Sequence, residues 1–170
     1  MLKNYKGFTL LELMVVLAIS GITLTAAVPA FQAMIARNRV AAETNDMLLA
    51  INLARSEALK TGSTASVQAV DGSDSNNEFG PGYCVVDGSP GNCDTPIRMF
   101  SALTAGDTLN SVDDVTTMTF NSLGGLNSST ALKLDLCGSG VDGSRIVISL
   151  VGRSKSHGPD DLTVADRPSC

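Results

Sequence analysis

The chain has 170 residues and carries 12 Lys and Arg against 17 Asp and Glu, a formal net charge of −5. That length suits one domain plus a membrane segment. An acidic chain with no Trp, two Tyr and five Phe offers neither the cation excess nor the stacking surface of a general nucleic-acid binder.

The first residues set the problem. A short basic leader with Lys3 and Lys6 ends at Gly7, and an apolar run follows from Phe8 to Ile35 with Glu12 as its one charge. At about 1.5 Å rise per residue this run is long enough to cross a bilayer as a helix. The leading lysines favour the cytoplasmic side, which sends the rest of the chain outward. A carboxylate in such a helix costs roughly 2.5–3.5 kcal/mol at the bilayer centre and less near the interface. An ordinary signal core or anchor gains nothing from it. Cleavage after Gly7 would free the amine of Phe8, and across subunits that cation can meet Glu12 of a neighbour in an apolar bundle, fixing register. A signal-peptidase cut after Val28-Pro29-Ala30 is the competing reading, and it has to accommodate Glu12 inside an unusually long hydrophobic region.

Gly7-Phe8-Thr9-Leu10-Leu11-Glu12-Leu13-Met14 resembles the processing motif of type IV pilins and type II secretion pseudopilins. The resemblance implies that a prepilin peptidase cuts between Gly7 and Phe8 and methylates the new amine of Phe8. It implies that Glu12 is the assembly glutamate and that Pro29 is the helix-disturbing proline of such helices. It also implies a type IV pilin fold of the α+β class, with a long N-terminal helix, membrane-spanning in its first half, packed on an antiparallel β domain.

Beyond Pro29, which removes a backbone donor, and Gly21, a second soft point, the helix is expected to continue. Ile35, Val40, Met47, Leu48, Ile51, Ala54 and Ala58 recur at helical spacing, with charged residues mostly between them. Arg39 and Glu43 stand four apart and are expected to pair. Lys60-Thr61-Gly62 reads as the helix end. The organisation is therefore a leader at 1–7, a transmembrane and filament-core helix at 8–36, an amphipathic half at 37–62, and a β domain at 63–170 with a stapled tail. Strands are expected over 63–70, 83–87, 97–103, 115–121, 131–136 and 145–151, separated by glycine-rich turns.

Cys84, Cys93, Cys137 and Cys170 all follow the apolar helix, so export places them where disulfides persist. Four cysteines allow three pairings. Cys84–Cys93 would close a local turn-rich loop, and Cys137–Cys170 would then pin the tail to a strand. The spacings fit no zinc pattern and His157 is the single histidine, so no metal and no cofactor is expected. The polar loop 71–78 has oxygen ligands but lacks the spacing of a calcium loop. No Ser/His/Asp arrangement or small-molecule site is apparent, and the chain reads as the substrate of an enzyme and not as one.

Gly82-Tyr83-Cys84-Val85-Val86, Ile97-Arg98, Met118-Thr119-Phe120-Asn121 with Gly124, and Ile146-Val147-Ile148-Ser149 leading to Gly152-Arg153 resemble the GspH/FimT group of minor pilins and pseudopilins. The cysteines lean toward its type IV pilus members. The resemblance implies a subunit at the pilus tip that primes assembly with other major and minor pilins, and so serves pilus biogenesis, twitching motility and adhesion. It sits in the inner membrane, with its C-terminal domain periplasmic, before it enters an extracellular pilus or pseudopilus. Some FimT-type members bind DNA through Gly-Arg-x-Arg, and here the matching residues are Gly152-Arg153-Ser154-Lys155. Lysine keeps the charge but loses the planar fork. Arg145, Arg153, Lys155 and Arg167 would form such a patch, opposed by Asp160, Asp161 and Asp166, so DNA is the less favoured partner.

Overall fold

The computed structural model describes residues 7–73, 76–88, 93–104, 106–161, 167–168 and 170. Leader residues 1–6, with Lys3 and Lys6, lie outside them, as do Asp74, the loop 89–92 and Asp166. The chain divides into two compact units, Met1–Ile35 and Ala36–Cys170.

One helix, α1 (Leu10–Thr61), runs through both units and contains Pro29 without interruption. In the first unit no residue of the apolar span is buried, and it is the one candidate membrane helix among the described residues. Ala and Leu, both strong helix formers, are its commonest residues, and its ends are capped. Gly62, at φ 68°, stops α1 with its N–H bonded to the Ala58 carbonyl at 3.0 Å, and Lys60 lies in the last turn.

In the second unit the remaining length of α1 buries Val40, Thr44, Met47, Ala50, Ile51, Ala54 and Ala58, a stripe with steps of three and four. It lies on two four-stranded antiparallel sheets. The strands are β1 (Ala65–Ala69), β2 (Tyr83–Asp87), β3 (Arg98–Phe100), β4 (Thr108–Ser111), β5 (Thr117–Phe120), β6 (Leu132–Gly138), β7 (Val141–Ile148) and β8 (Ser154–His157). Their orders are β3-β2-β1-β5 and β4-β6-β7-β8. Alternation along the strands sends Val67, Val85, Met118 and Phe120 from one sheet, and Leu109, Leu134, Leu136, Ile146 and Ile148 from the other, into one core with the helix stripe. Tyr83 stacks on Phe100 at 4.9 Å between ring centroids and meets Phe79 edge-on.

The outer face of each sheet is crossed by a disulfide. Cys84 and Cys93 are bonded, as are Cys137 and Cys170. At Gly143 in β7 a β-carbon would stand 2.5 Å from the Cys170 sulfur, so a glycine there makes room for the bridge.

Four features depart from the sequence reading. Strands β4 and β8 were not expected, because Thr108–Ser111 and Ser154–His157 are polar and hold their places as edge strands through backbone pairing with β6 and β7. The strand expected at 97–103 shrinks to Arg98–Phe100. Ile35 is half exposed and falls in the first unit, while Thr44 and Ala50 join the stripe. Arg39 grips Asp107 and not Glu43, with Nε 2.5 Å from Oδ2 and Nη2 2.9 Å from Oδ1. The bidentate fork satisfies a carboxylate that α1 and the loop before β4 have removed from water, which a helix-surface pairing with Glu43 would leave stranded.

Candidate assembly site

The Gly7–Phe8 bond precedes regular structure. Gly7, Phe8 and Thr9 are exposed and non-helical, and α1 begins at Leu10. The bond is therefore accessible from solvent. A β-carbon at Gly7 would touch nothing within 4 Å, so nothing in this fold requires glycine there.

Two residues on, Thr9 and Glu12 form a reciprocal helix cap. The Thr9 backbone N–H and hydroxyl donate to Glu12 Oε2 at 3.0 and 3.1 Å, and the Glu12 N–H donates to Thr9 Oγ1 at 3.2 Å. This is a capping box, in which a hydroxyl and a carboxylate three residues apart satisfy orphan donors of the first turn. The carboxylate is thus held at the positive end of the helix dipole. Thr9 escaped the sequence reading, although the spacing Thr-x-x-Glu was there to find. The remaining surface of the span is apolar, with Leu10, Leu11, Leu13, Met14, Val16, Leu17 and Ile22 all more than half exposed. Ser20, Thr23 and Thr25 turn their hydroxyls back onto carbonyls one turn earlier, so they add no unsatisfied polarity to it.

Of the four cations assigned to a basic patch, one is buried in an ion pair. Arg145 is 7 % exposed and its Nε and Nη2 hold Asp135 at 2.6 and 2.7 Å, with Nη2 also donating to the Arg167 carbonyl at 3.3 Å. Its guanidinium is committed to Asp135 and the Arg167 carbonyl and is unavailable to a phosphate. Arg153 and Lys155 are exposed at the turn into β8, and Arg167 is exposed in the tail. In the polar loop, Asn77 Oδ1 and Glu78 Oε2 accept the N–H groups of Leu109 and Ser111 at 2.8 Å each and so pin β4.

The family model described as type II transport protein GspH matches residues 43–152, close to two thirds of the chain. The chain belongs to the GspH family. The prokaryotic N-terminal methylation motif matches residues 2–28 of the same sequence. Two crystal structures of the type IV minor pilin FimU from Pseudomonas aeruginosa are similar to this GspH-family chain. In one crystal form the identity is 24%, with 78% of this chain and 95% of that chain covered and a TM-score of 0.63. In the other the identity is 26%, the coverage 76% and 95%, and the TM-score 0.55. No curated protein sequence matches the chain significantly.

The helix-on-sheets architecture is that of type IV minor pilins, and among the described residues one N-terminal helix is long and apolar enough to cross a membrane. This chain is a pilin-like subunit of the minor pilin and pseudopilin kind.

Proposed function

We propose that this subunit enters a type IV pilus and primes its assembly from the tip. Prepilin peptidase removes residues 1–7 and methylates Phe8. Residues 8–36 hold the precursor in the inner membrane with the β domain in the periplasm, and the mature helix then leaves the lipid. The exchange costs little hydrophobic energy, because the apolar face passes from lipid to the apolar helices of neighbouring pilins. Glu12 then trades its Thr9 cap for the amine of a neighbouring subunit, which sets the register. The observation that carries this reading is the position of an accessible Gly7–Phe8 bond directly ahead of an apolar helix whose first turn holds a carboxylate. The likeness to FimU favours a pilus over a secretion pseudopilus. The test is to count the protein in sheared pili from cells with and without the peptidase. Absence from pili in peptidase-positive cells defeats the proposal.

A role in DNA uptake is the second reading, favoured only by the exposure of Arg153 and Lys155. With Arg145 buried, two or three phosphate contacts remain, so any DNA affinity should be weak and its salt dependence shallow, because the slope scales with the number of phosphates contacted.

A further inference from the structure

At the end of the second unit where α1 stops, three segments meet: the last two turns of the helix, the turn 121–125 and the turn 149–153. Arg55 Nε donates to the Gly124 carbonyl at 3.0 Å, and the Leu126 N–H donates to the Leu150 carbonyl at 2.9 Å. A β-carbon on Gly124 would stand 3.2 Å from both Leu59 methyls, and one on Gly152, which has φ 76°, would stand 2.0 Å from the Gly124 carbonyl oxygen.

Each turn is fixed by several hydrogen bonds. Asn121 Oδ1 accepts the N–H groups of Leu123 and Gly125 at 3.0 Å each, and the Asn121 carbonyl accepts that of Gly124 at 2.8 Å. In the other turn the Ser149 N–H donates to the Arg153 carbonyl at 2.9 Å, the Ser149 carbonyl accepts the Gly152 N–H at 2.8 Å, and Ser149 Oγ accepts the Arg153 N–H at 3.1 Å. What these rigid turns hold outward is apolar. Leu123 is 85% exposed, Val151 63%, Leu59 50% and Leu150 47%. None of the turn bonding requires those side chains, and a leucine at the tip of a fixed turn contributes nothing to this fold. Single exposed leucines are ordinary, but four around one rigid junction form a preorganised patch.

The charge around the patch is the reverse of the molecule's. Residues 53–61, 121–130 and 149–156 hold Arg55, Lys60, Arg153 and Lys155 against one acid, Glu57, in a chain with 12 cations and 17 acids. Glu57 is already paired with Lys60 at 3.0 Å.

We propose that this junction docks on the globular surface of a different subunit, one anchored by an N-terminal apolar helix of the same kind and presenting an apolar hollow ringed by carboxylates. The proposal rests on the pilin reading above. A second copy in a two-fold contact would set these cations against themselves. Nucleic acid is disfavoured because the three segments contain no aromatic residue to stack on a base. Four side chains fall short of the roughly 800 Å² per partner of a free-standing complex, so the contact works where helix packing already holds two subunits side by side.

The test uses the full-length protein expressed with its filament machinery, in wild-type form and as the Leu123→Asp/Val151→Asp and Arg153→Glu variants. Leader removal and protease resistance should be unchanged, since these side chains are exposed. The double variant should lose about tenfold in filament-bound copies and Arg153→Glu a smaller factor. A photo-crosslinking side chain at position 123 should join the protein to a distinct pilin in assembled filaments. Wild-type recovery of the double variant, or crosslinks only to a second copy or to nucleic acid, would overturn the docking proposal alone. Wild-type protein absent from filaments would defeat the pilin reading and this proposal together.

Discussion

Arg145 faces Asp135 across the β6–β7 pairing and holds it with two guanidinium nitrogens, both side chains being nine-tenths or more buried. The same guanidinium reaches the Arg167 carbonyl, so one cation ties two strands to the C-terminal tail. Removing one partner of a buried pair leaves the other charge uncompensated, which costs about 3–5 kcal/mol. Asp135→Asn in a fragment beginning at Ala36 should therefore lower urea-unfolding stability by roughly 3 kcal/mol. A loss under about 1 kcal/mol would mean that the pair is solvated.

The Cys137–Cys170 bridge closes a loop with a sequence separation of 33 over the outer face of the second sheet. By chain entropy such a closure stabilises by about 2–4 kcal/mol. Cys170→Ser, made together with Cys137→Ser to avoid a stray thiol, should lower stability by that amount and open the tail to proteases. Unchanged protease resistance of the double variant would show that the tail is held without the bridge.

Glu43 is held above the usual carboxylate range, first by partial burial, with nearby Asp107 adding to the effect against the Thr104 N–H and Arg39. Its Oε2 is buried and has no hydrogen-bond partner among the described residues. A folded-state value raised above the unfolded one favours the protonated form on folding, so the stability it contributes is full in acid and declines as pH rises through the raised value. Glu43→Gln should therefore raise the melting temperature of the fragment at pH 7, by about 1–3 °C, and the gain should vanish as the pH falls below the ordinary carboxylate range. A constant difference at all pH values would contradict the assignment.

Thr9 and Glu12 separate local capping from assembly. Thr9→Val removes the side-chain half of the cap, at a cost of about 1 kcal/mol to the first turn, and should reduce incorporation only modestly. Glu12→Ala and Glu12→Lys should leave cleavage at Gly7–Phe8 largely intact and impair incorporation, lysine more than alanine because it sets a cation against the neighbouring amine. Immunoblots of membrane and sheared-filament fractions distinguish the two steps. Normal incorporation of Glu12→Lys would remove the pairing argument.

What could be read from the sequence was whatever local chemistry decides. The apolar run, the stripe from Val40 to Ala58 and the stop at Gly62 follow from hydrophobic period and capping, and the α+β pilin architecture from the motifs at both ends of the chain. What escaped depends on partners distant in sequence. Asp107 takes Arg39 from 68 residues away, and Arg145 is tied up by Asp135 because register sets the two opposite each other. Strands β4 and β8 carry no β-branched or aromatic pattern and exist because β6 and β7 offer them an edge. Thr9 is the exception, a local capping signal in which the hydroxyl matters as much as the charge of Glu12.

The most direct measurement is the intact mass and N-terminal sequence of the mature protein from cells with and without prepilin peptidase. A chain starting at Phe8 and carrying one added methyl group is expected when the peptidase is present, and an uncleaved chain when it is absent. A mature chain starting after Ala30, or one that retains residues 1–7 in the presence of the peptidase, would contradict that expectation.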